Sequence, residues 1–193
     1  VEHPVFHISF GGENFIEPGA LENKIDTNLS QWEELYGKAP VATTFGGRFL
    51  HTLQAAHQKT GKRAVVLIDE YDKPLLDVLD TGYSTTVDGK ERLLEEHHRN
   101  ILKGLYSVFK EADADLQFVL LTGVTKFSQV SVFSGFNQPA DISMDPRYEA
   151  LCGITEEELY SYFEKSIAEM AETYAYSIEE MKHELKRQYD GYH

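Results

Sequence analysis

The stretch KRAVVLIDEYDKPLL, residues 62–76, places a hydrophobic strand directly before a cluster of acids. Its apolar residues, 64–68, do not alternate with polar ones, which is typical of a strand covered on both faces. Asp69, Glu70 and Asp72 follow at once. In open α/β sheets, ligands bind beyond the carboxyl ends of the strands, so acids at this point face a binding site. The stretch therefore predicts a buried strand whose end carries functional side chains.

Two further strands and several helices surround this strand in the chain. A first strand, near residues 5–10, ends at Gly11-Gly12, and another strand is predicted over 116–123. The order of strand, helices, strand, helix and strand predicts an α/β fold with a parallel, three-layered sheet. Apolar residues at helical spacing predict helices that start near residue 18 and that span 43–59 and 91–112.

The rest of the chain divides into a polar loop and a helical end. Residues 80–89 are polar and predict an exposed loop. From residue 155 onward the pattern is helical, and Thr155 with Glu158 and Ser177 with Glu180 fit the S/T-x-x-E capping box. We expect residues 1–150 to form the α/β core and residues 151–193 to form a helical C-terminal region.

Composition limits the classes of function. The net charge of −14 disfavours direct binding of nucleic acid by these 193 residues. Cys152 is the single cysteine, which suits a reducing compartment. The sequence contains neither an apolar run of about 20 residues nor a signal-peptide pattern, so we expect a cytoplasmic protein without a membrane span. The chain opens in strand-like sequence without a methionine and closes just after a helical pattern, so we expect a fragment of a longer protein.

An aliphatic strand followed by Asp-Glu is the pattern of a Walker B motif. On this interpretation Asp69 holds Mg²⁺ on the β and γ phosphates of a nucleotide, and Glu70 orients and deprotonates the attacking water. Thr122, at the end of the strand over 116–123, is a small hydroxyl residue where P-loop ATPases with an additional strand place a sensor. The alternatives are a solvated strand end at Asp69 and Glu70, and a plain turn residue at Thr122.

The sequence contains no G-x-x-x-x-G-K-[ST] motif. Thr60-Gly61-Lys62 is similar to part of one, but it precedes a strand, whereas a phosphate-binding loop follows a strand and opens a helix. The Walker B interpretation therefore requires a P-loop upstream of Val1. Without it, we expect these 193 residues alone to bind ATP weakly and to be inactive.

Several blocks of sequence occur in a characteristic order: HPVFHISF, VVLIDEYDKPLLD, ILKGLYSVFKEAD, LTGVTKFSQVSVFSGFN, DISMDPRYEALCGITEEEL and LKRQYDGYH. Together they resemble a bacterial family of predicted AAA-ATPases, which is similar to archaeal-type P-loop ATPases. The resemblance implies a P-loop NTPase-like core that uses ATP and Mg²⁺, with its P-loop upstream of this chain. Many members continue into a PD-(D/E)xK nuclease-like domain, which would also lie outside these residues.

Three other features of the sequence are candidates for parts of a site. Arg147 is a candidate for the γ-phosphate, since such ATPases often complete their site with a later arginine; an ion pair with Asp145 or Asp141 explains it equally well. Lys126 could contact a phosphate, although a solvated loop lysine is the simpler interpretation. Residues 88–90 form a D-x-K, which we expect to be an ordinary loop rather than a nuclease motif.

The sequence thus predicts an Mg²⁺-dependent ATPase in the intact protein, with Asp69, Glu70 and Thr122 in its site. The alternative is a non-enzymatic interaction module that keeps the fold without turnover. With the upstream strand absent from this chain, residues 117–122 would form an open sheet edge. We expect that edge to self-associate or to be covered by another segment.

Overall fold

The computed structural model describes residues 2–125, 139–148, 150–151 and 153–189. Contacts divide the chain into two compact units, Val1–Pro139 and Ala140–His193. The first unit holds five strands and four α-helices among its described residues. They are β1 (Val5–Ser9), α1 (Ala20–Tyr36), α2 (Phe45–Thr60), β2 (Ala64–Asp69), α3 (Lys73–Leu76), β3 (Ser84–Val87), β4 (Lys90–Leu93), α4 (Leu94–Glu111) and β5 (Leu116–Leu121).

The central sheet is small and parallel, with the strand order β1-β2-β5. Ser9 lies opposite Asp69 in the first pair of strands, and Ile68 lies opposite Leu121 in the second. The ladder continues past the strand ends, where the amide of Thr122 donates to the carbonyl of Ile68 at 2.9 Å. Because all three strands are parallel, their carboxyl ends meet at one edge of the sheet. The predicted α/β fold with a parallel sheet is confirmed at this level.

Helices cover one face of this sheet. Phe6, Ile8, Val66 and Ile68 point into a fully buried core that they share with α1, α2 and α4. On the other face Val5 and Phe118 are each 52% exposed. Among the described residues the sheet therefore forms two layers with its helices, and the expected third layer is not seen. The unbroken apolar run in β2 has one buried face and one half-buried face.

The predicted helices of the first unit form with shifts of a few residues. On α1, buried Leu21, Ile25 and Leu29 recur every four residues, which keeps them on one face. On α2, the Thr44 hydroxyl accepts a hydrogen bond from the amide of Gly47 and caps the helix. Gly61, with φ of 66°, ends α2 as predicted.

The predicted loop over 80–89 is wrong in part, because β3 and β4 form an antiparallel hairpin there. Asp88 and Gly89 join the strands with φ of 52° and 73°, which is the backbone of a two-residue type I′ turn. The signal was Asp-Gly between two short strand-like runs. The hairpin also explains why α4 begins at Leu94 rather than at residue 91. Residues 88–90, the D-x-K, are the hairpin turn and the first residue of β4.

The second unit is helical, as predicted for the end of the chain. Both capping boxes are confirmed: Thr155 and Glu158 exchange side-chain to backbone hydrogen bonds, and so do Ser177 and Glu180. None of the described helices, in either unit, is long and apolar enough to cross a bilayer. The described α-helices of the second unit are α5 (Glu156–Tyr162), α6 (Glu164–Thr173) and α7 (Ile178–Tyr189).

Candidate functional site

The carboxyl edge of the sheet brings together three side chains from three strands. Asp69 ends β2 and is exposed, and its Oδ1 accepts a hydrogen bond from the Thr122 hydroxyl at 2.5 Å. The Ser9 hydroxyl, at the end of β1, lies 3.5 Å from Asp69 Oδ2. The carboxylate of Asp69 is thus oriented from the strands on both sides. Asp69 and Thr122 are 53 residues apart in the chain, and the parallel register of β2 and β5 places them in contact.

Glu70 leaves the strand in a left-handed conformation with φ of 52°. This turn carries its carboxylate over Gly11, where a Cβ atom would lie 2.9 Å from Glu70 Oε1. Gly11 therefore leaves room that a larger residue would fill. No donor of the described residues forms a hydrogen bond with the Glu70 carboxylate, which is exposed. The group is accessible to a water molecule at the same edge as Asp69.

The turn behind the acids is anchored to the core through α3 and α4. The buried His98 ring, on α4, donates from Nδ1 to the carbonyl oxygen of Pro74 at 2.9 Å. Burial lowers the pKa of His98, while the Pro74 carbonyl and the carboxylates of Glu22 and Asp77 act in the opposite direction. The neutral ring thus serves as a structural contact beneath the acidic edge.

The oxygen atoms at this edge suit Mg²⁺, which prefers hard oxygen ligands. Asp69 supplies a carboxylate, and Thr122 and Ser9 orient it. Among the residues that the structure describes, no group of three or more His, Cys, Asp or Glu side chains is arranged to hold a metal ion. A single carboxylate, that of Asp69, fits an ion that keeps several waters and takes phosphate oxygens of a nucleotide for the rest of its shell.

The structure places Arg147 in the second unit. Its guanidinium donates to both carboxylate oxygens of Asp145, at 3.0 Å from Nε and 2.6 Å from Nη2. This is one of the two ion pairs that the sequence suggested, and it raises the pKa of Arg147 and lowers that of Asp145. Lys126 lies outside the described residues.

Two residues of the edge were missed by sequence reasoning. Ser9 and Gly11 lie at the end of β1, which was interpreted only as a strand that stops at a Gly-Gly pair. The available signal was the same one that identified Asp69: in a parallel sheet, a small polar residue at a strand end faces the ligand-binding edge. Asp72 was seen in the acidic cluster without a role of its own, yet it is buried and hydrogen-bonded.

Comparison with known proteins shows what the chain is similar to. Residues 1–133 match the family described as Predicted AAA-ATPase. The chain is 43% identical over 161 residues to a protein of Azotobacter chroococcum mcd 1 described as "Uncharacterized protein in vnfD 5'region". That alignment covers 83% of this chain and 29% of the relative, so the chain spans less than a third of the relative's length. No solved structure matches the chain. Because the family match covers residues 1–133 of 193, the chain belongs to the family of predicted AAA-ATPases.

Proposed function

We propose that the intact protein binds ATP and hydrolyses it with Mg²⁺, and that this chain supplies the Walker B part of a P-loop NTPase-like site. One observation carries the proposal. The Thr122 hydroxyl lies 2.5 Å from Asp69 Oδ1 at the carboxyl edge of a parallel sheet, next to an exposed glutamate. Membership of the predicted AAA-ATPase family supports the choice of nucleotide.

Each residue of the edge has a separate task in this proposal. Asp69 would hold Mg²⁺, and that ion, when bound, neutralises charge on the β and γ phosphates. Thr122 donates to the carboxylate of Asp69 and so fixes its orientation, as partners of metal ligands commonly do. Glu70 accepts the proton of the attacking water, since its exposed carboxylate has no hydrogen-bond donor in the part of the chain that the structure describes. The phosphate-binding loop would come from sequence outside these residues.

Other parts of the proposal concern the protein beyond this edge. Arg147 would reach the γ-phosphate, which requires that it leave its ion pair with Asp145. That exchange is reasonable because the Arg147 side chain is 80% exposed, and exposed ion pairs contribute little stability. An attached nuclease-like domain and a cytoplasmic location are likewise proposed for the intact protein.

The test is the Glu70→Gln substitution in the intact protein. Glutamine keeps the shape of the side chain but cannot accept the proton, so we expect ATP hydrolysis to fall by roughly a hundredfold or more. Binding of Mg-ATP should stay within about twofold of wild type, since a missing base is felt in turnover rather than in binding. The measurements are steady-state phosphate release and calorimetric titration.

Glu34→Gln is the matched control, because Glu34 is an exposed glutamate in the last turn of α1 with no place at the edge. It should hydrolyse ATP at the wild-type rate. If Glu70→Gln also does so, Glu70 is not the base. If the wild-type protein binds ATP without hydrolysing it, the interaction module is the better interpretation.

A further inference from the structure

Asp72 is a buried carboxylate that the proposed chemistry does not use. Its residue is 1% exposed, two positions beyond Glu70. One oxygen, Oδ2, accepts three hydrogen bonds, from the amide of Val124 at 3.1 Å and from the amide and hydroxyl of Thr125, both at 2.6 Å. All three donors belong to the segment that follows β5. Asp72 therefore ties the turn after β2 to the turn after β5.

Within the described ranges of the chain, these hydrogen bonds are the contacts that stabilise the buried carboxylate. Among the described residues no Lys, Arg or His side chain forms an ion pair with Asp72. A buried acid needs an ion pair or hydrogen-bond donors. Hydrogen bonds to a charged acceptor are about twice as strong as those between neutral groups. Moving the segment 122–125 away would therefore take from Asp72 the three donors that the described residues provide. The segment and the acid hold each other in place.

Tyr71 holds the same segment from a second direction. Its hydroxyl donates to the carbonyl oxygen of Thr125 at 2.5 Å, and its amide donates to the carbonyl oxygen of Thr122 at 3.0 Å. Both ends of the segment 122–125 are thus bonded to residues 71 and 72. The hydroxyl of Tyr106 donates in turn to the carbonyl oxygen of Tyr71 at 3.2 Å, which links this arrangement to α4.

The segment passes very close to both side chains. A Cβ atom on Gly123 would lie 2.5 Å from Asp72 Oδ1 and 2.7 Å from Tyr71 Cε1. Only a residue without a side chain fits at this distance. The position of the segment is therefore determined by contact as well as by hydrogen bonds.

We propose that Asp72 is a positioning residue for the Thr122 hydroxyl. By holding the segment 122–125, Asp72 keeps Thr122 in the position from which its hydroxyl donates to Asp69 Oδ1. This inference rests on the proposed ATPase function, because the consequence of misplacing Thr122 is a misplaced metal-binding carboxylate. Asp72 itself lies behind the edge and acts only through its neighbours.

A double-mutant cycle in the intact protein tests the coupling. Asp72→Asn keeps the volume but removes the charge, and Thr122→Val removes the hydroxyl that Asp72 is proposed to position. We expect Asp72→Asn alone to lower kcat by about tenfold with KM for Mg-ATP within about twofold. In the Thr122→Val background, Asp72→Asn should lower kcat by less than about twofold further. Two losses that simply multiply would overturn the proposal, since a general structural defect does not depend on the Thr122 hydroxyl.

Asp115→Asn is the matched control. Asp115 directly precedes the start of β5, whereas Thr122 follows its end. The Asp115 carboxylate is hydrogen-bonded to His57 Nδ1 at 2.7 Å. This variant makes the same chemical change beside the same strand and should keep kcat within about twofold. Thr125→Val removes one of the three donors to Asp72. This variant replaces Asp72→Asn in the test if Asp72→Asn does not fold. It should lower kcat in the same direction by a smaller factor, again only when Thr122 is present, and an unchanged kcat would count against the proposal.

Amide hydrogen exchange separates this inference from the ATPase proposal. In Asp72→Asn, the amides of Val124 and Thr125 should exchange at least about tenfold faster, while the amides of β1 keep their rates. Unchanged exchange at both residues would overturn the positioning role whatever the activity. If the wild-type protein does not hydrolyse ATP, the ATPase proposal fails, and faster exchange then still supports Asp72 as the residue that holds this segment.

Discussion

At the scale of single residues, Glu70 combines an exposed carboxylate with a left-handed backbone, with φ of 52°. For a residue with a Cβ atom this conformation costs about 1–2 kcal/mol, because Cβ approaches the following carbonyl oxygen. Strained conformations of this kind concentrate at sites where geometry matters more than stability. Here the turn brings the carboxylate to the edge beside Asp69 and over Gly11. The cost of the conformation is therefore best explained by the position that it gives to the acid.

A pair of substitutions measures that cost. Glu70→Gly should raise the free energy of unfolding by about 1 kcal/mol relative to Glu70→Ala, because glycine adopts a positive φ without the Cβ contact. Urea unfolding followed by the fluorescence of Trp32, the single tryptophan, reports on the first unit. At Gln31, an exposed residue on α1, the same comparison should have the opposite sign, with glycine less stable by about 1 kcal/mol. Equal stabilities of the two Glu70 variants would show that this backbone is not strained.

At the scale of secondary structure, β5 is an outer strand of the sheet with one open side. It pairs with β2 along one side, and no described strand pairs with the other. Phe118, in the middle of β5, is 52% exposed. Unpaired amides and carbonyls beside apolar side chains recruit another strand. The expectation that this edge is completed by another segment or a second copy therefore stays a prediction.

Self-association tests the edge. We expect the 193-residue chain to form dimers or larger species as its concentration rises, and Phe118→Lys to suppress them, because a charge on an edge strand opposes pairing. The measurement is sedimentation equilibrium over a range of concentrations. Val5→Lys is matched to it, since Val5 is also 52% exposed and lies on β1, the other outer strand of the sheet. A chain that stays monomeric, or that responds to Val5→Lys instead, contradicts the assignment of the interface to β5.

At the scale of the whole molecule, the negative net charge and the lack of a phosphate-binding motif in this sequence act against nucleotide binding by this chain alone. Its net charge is −14, and its sequence contains no G-x-x-x-x-G-K-[ST] motif. In such sites most phosphate contacts come from the backbone amides and lysine of that loop, and from the start of the helix that follows it. The edge around Asp69 and Glu70 offers carboxylates, which repel a nucleotide unless Mg²⁺ lies between them.

Calorimetric titration of the 193-residue chain measures its affinity for Mg-ATP. We expect a Kd for Mg-ATP weaker than about 100 μM, which corresponds to less than roughly 5.5 kcal/mol of binding free energy. No hydrolysis should be measurable under the same conditions. The intact protein, titrated in parallel, should bind more tightly. Micromolar binding by the chain alone would mean that residues within it form a phosphate site that the present interpretation omits.

Local patterns in the sequence determined the elements that depend on neighbours within a turn or two. The four-residue spacing of Leu21, Ile25 and Leu29 predicted α1, and both capping boxes form as read. The strand before Asp69 was also evident, because a short, unbroken apolar run rich in Val and Ile favours a buried strand. The β3–β4 hairpin was equally local and was missed, since its Asp-Gly turn was interpreted as part of a loop.

The sequence predicts that Asp69 and Thr122 share a site, but tertiary structure alone decided how these and other distant residues meet. The 2.5 Å contact between Thr122 and Asp69 depends on the register of β2 against β5, which is shifted by an irregularity between Ala64 and Val65. Nothing within either strand specifies that shift. The burial of Asp72 likewise depends on donors more than 50 residues away, so its sequence position shows an acid but not its partners. Contacts of this kind come from packing of the whole sheet, and single-sequence patterns carry no direct record of it.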